Sequence, residues 1–73
     1  MKINVYQSKD DKYVEMEVLA KYKYKGETNY VSFVNGKTYC CVGYDEEHNL
    51  ARLVDETGED YLYSLTNFEL IEE

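Results

Sequence analysis

One histidine, two adjacent cysteines and fifteen carboxylates are the side chains of this 73-residue chain with the means to move protons, attack carbon or hold a metal. His48 stands in the run Asp45-Glu46-Glu47-His48-Asn49, where the neighbouring carboxylates favour its charged form. Catalysis or metal ligation would need a nucleophile or a second ligand beside it, and the run offers neither, so His48 reads as an exposed loop residue. Cys40 and Cys41 are neighbours, which seldom reach unstrained disulfide geometry. On a strand they face opposite ways, one a small core residue and the other partly exposed, and no basic residue is close enough in sequence to activate either thiol. Asp55, Glu56, Glu59 and Asp60 surround Gly58. A calcium loop needs oxygen ligands at regular alternate positions closed by a bidentate glutamate, whereas this segment has the length of a tight turn and reads as a solvated hairpin tip. Phosphate-cradling glycine loops, paired catalytic acids and metal-ligand spacings are all missing from the sequence. The expectation is a protein without catalytic residues, metal or cofactor: not an enzyme.

The elements that must position these residues are strands. Val14, Met16, Val18, Ala20, Tyr22 and Tyr24 alternate with Glu15, Glu17, Lys21, Lys23 and Lys25, with Leu19 the single apolar exception. A helix would scatter the first six around its axis, whereas period two gathers them on one face. A strand of that length requires a bend or bulge. Ile3 and Val5 alternate with polar neighbours as a first short strand, and residues 7–12 (QSKDDK) form a polar loop. Residues 30–34 are a short apolar piece leading to Asn35-Gly36, a strong hairpin signal. Residues 37–44 (KTYCCVGY) are apolar on both faces and predict a central strand. Strands follow over 50–55 and 60–64, with Gly58 supplying positive φ in the turn between them. Residues 65–67 read as one tight helical turn before a last strand over 68–71. The sum is one all-β domain over residues 1–73, five to six short antiparallel strands in a small barrel.

From Val34 onward the chain resembles the small barrels of Src-homology-3 (SH3) type. The residues that carry the resemblance are NGKTY at 35–39, LARLVDETGEDYLY at 50–63 and SLTNFELIEE at 64–73, with Asn67 and Phe68 at the closing turn and strand. The same features resemble those of short uncharacterised proteins of Gram-positive bacteria and their prophages. An SH3-like fold implies five strands with a tight helical turn before the last. Departures bear on function: proline-motif recognition in that family uses a tryptophan and a proline in the closing turn, and this chain contains neither residue type.

Composition bounds what remains. With 44% apolar and 15% aromatic residues, nine of them tyrosine, the chain has the makings of a globular core, though a small one. It contains no apolar run near the roughly 18 residues of a membrane span and no secretory leader pattern, so a cytoplasmic setting is expected. Residues 1–25 carry six lysines against four carboxylates, a balance of +2; residues 26–73 carry Lys37 and Arg52 against eleven carboxylates, a balance of −9. That asymmetry disfavours nucleic acid as a partner and suits a basic one. Lys21, Lys23 and Lys25 are too few against the acidic remainder for a nucleic-acid stripe and are better suited to guarding a sheet edge or neutralising nearby Glu15 and Glu17. The expected function is a non-enzymatic protein–protein interaction module of unknown partner, with a homodimer as one form. Its binding surface would be an exposed strand edge or a tyrosine patch such as Tyr44, Tyr61 and Tyr63. The alternative is an acidic inhibitor or DNA-mimic-like protein that covers a basic surface with Asp45, Glu46, Glu47, Asp55, Glu56, Glu59 and Asp60.

Overall fold

The computed structural model describes residues 1–71. Among the described residues there are seven antiparallel strands: β1 (Lys2–Gln7), β2 (Lys12–Glu17), β3 (Ala20–Tyr24), β4 (Thr38–Asp45), β5 (Leu50–Val54), β6 (Asp60–Tyr63) and β7 (Phe68–Ile71). They form two open sheets, β1-β2 and the five-stranded β6-β5-β4-β3-β7, and among the described residues no closed barrel and no helix is found. The all-β expectation holds; in place of a small barrel of five to six strands the described residues show seven strands in two sheets.

The extra strand arises because the long alternating segment changes partners. Through Glu17 it pairs with β1, bringing Val14 opposite Val5 and Met16 opposite Ile3. Val18 N–H still donates to Met1 C=O at 2.8 Å, and the next amide, Leu19 N–H, donates to Cys41 C=O at 2.8 Å, in β4. One strand thereby becomes two, in different sheets. The alternation is clear up to the crossing and fades beyond it: Val14, Met16, Val18, Ala20 and Tyr24 are half-buried and Tyr22 buried, and Glu15, Glu17 and Leu19 are exposed, but Lys21 and Lys23 in β3 are half-buried as well.

β4 lies between β3 and β5, as its two apolar faces predict. A bulge interrupts its pairing between Cys41 and Gly43, a device that bends a strand and sharpens its twist. Cys41 is the fully buried cysteine and Cys40 the half-buried one. The core beneath the sheet is Tyr22, Phe33, Tyr39, Cys41, Ala51 and Leu53, with Tyr24, Tyr63, Leu65 and Phe68 packed against it. Phe33 is its hub: the rings of Tyr39, Tyr63 and Phe68 meet it edge-on at centroid distances of 4.8, 4.6 and 4.9 Å. Edge-to-face packing of this kind adds to area burial because the positive ring edge meets the negative face.

Phe33 reaches the core from the connection between β3 and β4, which differs from its sequence reading. Residues 30–34 form no strand beside β4. A tight turn closed by Asn29 N–H to Phe33 C=O (2.8 Å) and Phe33 N–H to Asn29 C=O (2.9 Å) leaves Tyr30 and Val31 exposed and folds Phe33 inward. The Asn35-Gly36 turn does form, with Lys37 N–H donating to Val34 C=O at 3.1 Å and Gly36 at φ +87°. Asn35 keeps a negative φ, so the turn follows the type II pattern and not the hairpin-forming I′. It delivers the chain to β3: Gly36 N–H donates to Tyr24 C=O and Tyr24 N–H to Lys37 C=O. Gly26 allows the close packing there, since a Cβ on it would sit 2.6 Å from the Tyr24 hydroxyl. Residues 65–67 are a single turn closed by Phe68 N–H to Leu65 C=O at 3.0 Å, too short to count as helix.

Candidate functional site

The acidic residues picked out in the sequence occupy two turns at opposite ends of β5, so they form no single surface. Asp55, Glu56, Glu59 and Asp60 belong to the β5–β6 turn, and all four are engaged inside the molecule. Asp55 is buried at 7% exposure. Its Oδ1 accepts from Thr57 N–H (2.9 Å) and Thr57 Oγ1 (2.5 Å), and its Oδ2 from the Tyr63 hydroxyl (2.5 Å). Glu56 Oε2 accepts from the Tyr39 hydroxyl and lies 3.0 Å from Lys37 Nζ. Those donors, Tyr39 first and Lys37 second, stabilise the carboxylate and hold its pKa below the ordinary glutamate value. Glu59 is lowered likewise, by Ser8 and then Tyr61: Oε1 accepts from Ser8 N–H at 3.0 Å and Oε2 from the Tyr61 hydroxyl at 2.9 Å. Asp60 accepts from Gln7 Nε2 (3.0 Å) and Arg52 Nη1 (3.3 Å). Ser8, Gln7 and the Tyr6 N–H to Gly58 C=O bond (3.0 Å) show the purpose: this turn is where the β1-β2 hairpin is tied to the larger sheet.

The tyrosine patch also divides. Tyr63 packs against Phe33 and gives its hydroxyl to Asp55, with burial first and Asp55 second raising its pKa. Tyr39, which sequence reasoning did not single out, is the counterpart on Glu56, pushed up to about 12 by burial first and that hydrogen bond second. Tyr61 is 46% exposed and bonded to Glu59 in the β5–β6 turn. Tyr44 stands apart at the far end of β4, 48% exposed. Its hydroxyl meets that of Tyr22 at 2.9 Å, which fixes the ring and, ahead of burial, raises its pKa.

Around Tyr44 the surface is concave. An open groove of about 280 Å³ is lined by Tyr44, Asp45, Glu46, Asn49, Leu50 and Leu65. Local sequence explains its walls. Asn49 takes positive φ (+55°), which lets the β4–β5 turn reverse within four residues. Asp45 braces that turn, Oδ1 accepting from His48 N–H at 3.2 Å and Oδ2 lying 3.0 Å from His48 Nδ1. His48 is thus a turn residue paired with Asp45, and the described residues contain no cluster able to hold a metal ion. Glu46 and Glu47 are exposed, with no side-chain partner among the described residues. Leu65 enters from the turn before β7, so residues distant in sequence complete the groove. Of the lining residues, sequence reading found Tyr44, Asp45 and Glu46 and missed Asn49, Leu50 and Leu65, while Glu47 lies outside the lining; the one available signal was the position of Leu65 in a turn preceding a strand.

The groove offers a fixed aromatic face, two leucine side chains and carboxylates at the rim. That is the equipment for holding an apolar side chain next to a cation. Comparisons with protein-family models, curated proteins and solved structures found no match to this chain.

Proposed function

We propose that the protein is a non-enzymatic interaction module that grips a segment of a partner protein in the Tyr44 groove. The partner segment would carry a lysine or arginine beside an aliphatic or aromatic residue. The cation sits against Glu46 and Glu47 while the apolar neighbour packs on Tyr44, Leu50 and Leu65. The observation that carries this reading is the meeting of an exposed but hydroxyl-anchored tyrosine, two leucines and the unengaged carboxylate of Glu46 in one groove, with exposed Glu47 next to it in the chain. A held aromatic ring loses little rotamer entropy on binding, which is why tyrosine serves interfaces well. The covering of a basic surface by all seven acidic residues is less well supported, because Asp45, Asp55, Glu56, Glu59 and Asp60 already accept internal hydrogen bonds.

An SH3-like architecture is part of the proposal. In its support, the last strand of the five-stranded sheet returns to pair with the first, β7 beside β3, after a one-turn i→i+3 connection, and the other three follow as a meander. The two unbridged cysteines fit a reducing, cytoplasmic setting.

Selection of random peptides displayed on phage, with the chain immobilised, tests the function. Recovered sequences are expected to place a basic residue next to an apolar one, and Glu46→Lys is expected to weaken them at least tenfold, since a repulsive charge replaces an attractive one. Binders indifferent to Glu46→Lys and Tyr44→Ala, or no binders at all, would refute it.

A further inference from the structure

The pair Asn35-Gly36 has a chemistry of its own. In an Asn-Gly dipeptide the glycine amide nitrogen can attack the asparagine side-chain carbonyl, because no side chain on the glycine obstructs the approach. The Gly36 N to Asn35 Cγ bond forms and the Cγ–Nδ2 bond breaks. Ammonia departs with the Gly36 amide hydrogen, leaving a cyclic succinimide. Water then opens either carbonyl, giving aspartate or isoaspartate at position 35.

Solvent does not shield this pair: Asn35 and Gly36 are both exposed, and nothing lies within 4 Å of where a Gly36 Cβ would stand. Hydrogen bonds hold every atom the reaction must move. The attacking nitrogen, Gly36 N–H, donates to Tyr24 C=O at 2.8 Å. The leaving group, Asn35 Nδ2, donates to Gly26 C=O at 2.9 Å. Asn35 N–H donates to Thr28 Oγ1 at 2.9 Å, fixing the backbone between them. Attack would need the Gly36 amide freed from β3 and the Asn35 side chain turned away from Gly26, two contacts that break together only if the 24–37 segment opens.

We infer that Asn35-Gly36 is a modification site for spontaneous succinimide formation, gated by the fold: water reaches it, and three hydrogen bonds, one to the end of β3 and two within the β3–β4 connection, keep it unreacted until that connection opens. Conversion has a structural consequence. A carboxylate at position 35 loses the donor to Gly26. Isoaspartate also lengthens the backbone by one carbon, displacing the Gly36 amide from Tyr24 and loosening the connection that carries Phe33 to the core. Position 35 therefore works as an irreversible record of how often this connection has opened.

The test follows the tryptic peptide of residues 26–37 by mass spectrometry during incubation at mildly alkaline pH, for the folded chain, the chain in urea, and a Thr28→Ala variant checked for folding by circular dichroism. The expected result is conversion about tenfold or more slower in the folded chain than in urea, with Thr28→Ala at an intermediate rate, as local opening controls reactivity. Equal rates in the folded chain and in urea, a Thr28→Ala rate identical to that of the parent, or conversion of Asn49 or Asn67 ahead of Asn35 in urea would overturn it.

Discussion

The turns at the two ends of β5 are alike in composition and opposite in use. Asp55 to Asp60 and Asp45 to Asn49 are both short, acidic and closed by a residue with positive φ, Gly58 in one and Asn49 in the other. In the β5–β6 turn each carboxylate accepts hydrogen bonds from tyrosine, lysine, arginine or the β1-β2 hairpin. In the β4–β5 turn Asp45 braces its own loop, and Glu46 and Glu47 face solvent beside a groove. The difference lies in what each turn borders. The first meets a second sheet and the aromatic core, where an unpaired charge would be costly and a paired one locks the two layers together. The second meets water. Charge alone therefore does not mark a binding surface; unengaged charge beside exposed apolar atoms does.

The largest predicted effect removes what the engaged turn rests on. Phe33→Ala deletes the ring on which Tyr39 and Tyr63 pack, and should cost about 4 kcal/mol in urea unfolding. Asp55→Ala follows, at about 2 kcal/mol, because it removes a buried carboxylate and strands the half-buried Tyr63 hydroxyl, while exposed Thr57 can turn to water. A loss below about 1 kcal/mol for Asp55→Ala would erase the contrast between the two turns.

The pH dependence sharpens the same contrast. The Glu56 and Glu59 pKa values are lower folded than unfolded, so their stabilisation is complete above the ordinary glutamate range and is lost as pH falls through their depressed values. Glu56→Gln and Glu59→Gln should each flatten the acid limb of the stability curve. At the alkaline end the sign reverses. The Tyr39 pKa is higher folded than unfolded, so its contribution is intact below about 10 and disappears as pH rises toward about 12. Melting temperatures measured across that window should fall, and less steeply for Tyr39→Phe. Smallest of all, Glu46→Gln and Glu47→Gln should shift stability by no more than about 0.5 kcal/mol, the range of surface substitutions without partners.

Much of the strand pattern was legible in the sequence, and particular residues show where legibility stopped. β7 was read at its observed bounds and β4 as the central strand, because short-range alternation and apolar content carry that information. An interruption of the long strand was expected and Leu19 broke its pattern, but no glycine or proline fixed the division at Val18–Leu19, because its cause is an exchange of partner from Met1 to Cys41, a long-range event. Asn35-Gly36 announced a turn correctly and a hairpin wrongly, because turn type depends on the φ of Asn35, which Thr28, Gly26 and Tyr24 set together through their hydrogen bonds. The acidic residues were all identifiable by type, yet Asp55 and Glu47 look alike in a sequence, and only the folded neighbours make one buried and the other exposed.

The direct trial of the central claim sets the two turns against each other in one binding measurement. A peptide recovered by the display selection is titrated into the parent chain, into Glu46→Lys/Glu47→Lys and into Glu56→Gln/Glu59→Gln. The account predicts that the first double variant loses affinity at least tenfold with its unfolding midpoint preserved, while the second binds as the parent does and unfolds more readily. Loss of binding in the second with retention in the first would contradict it.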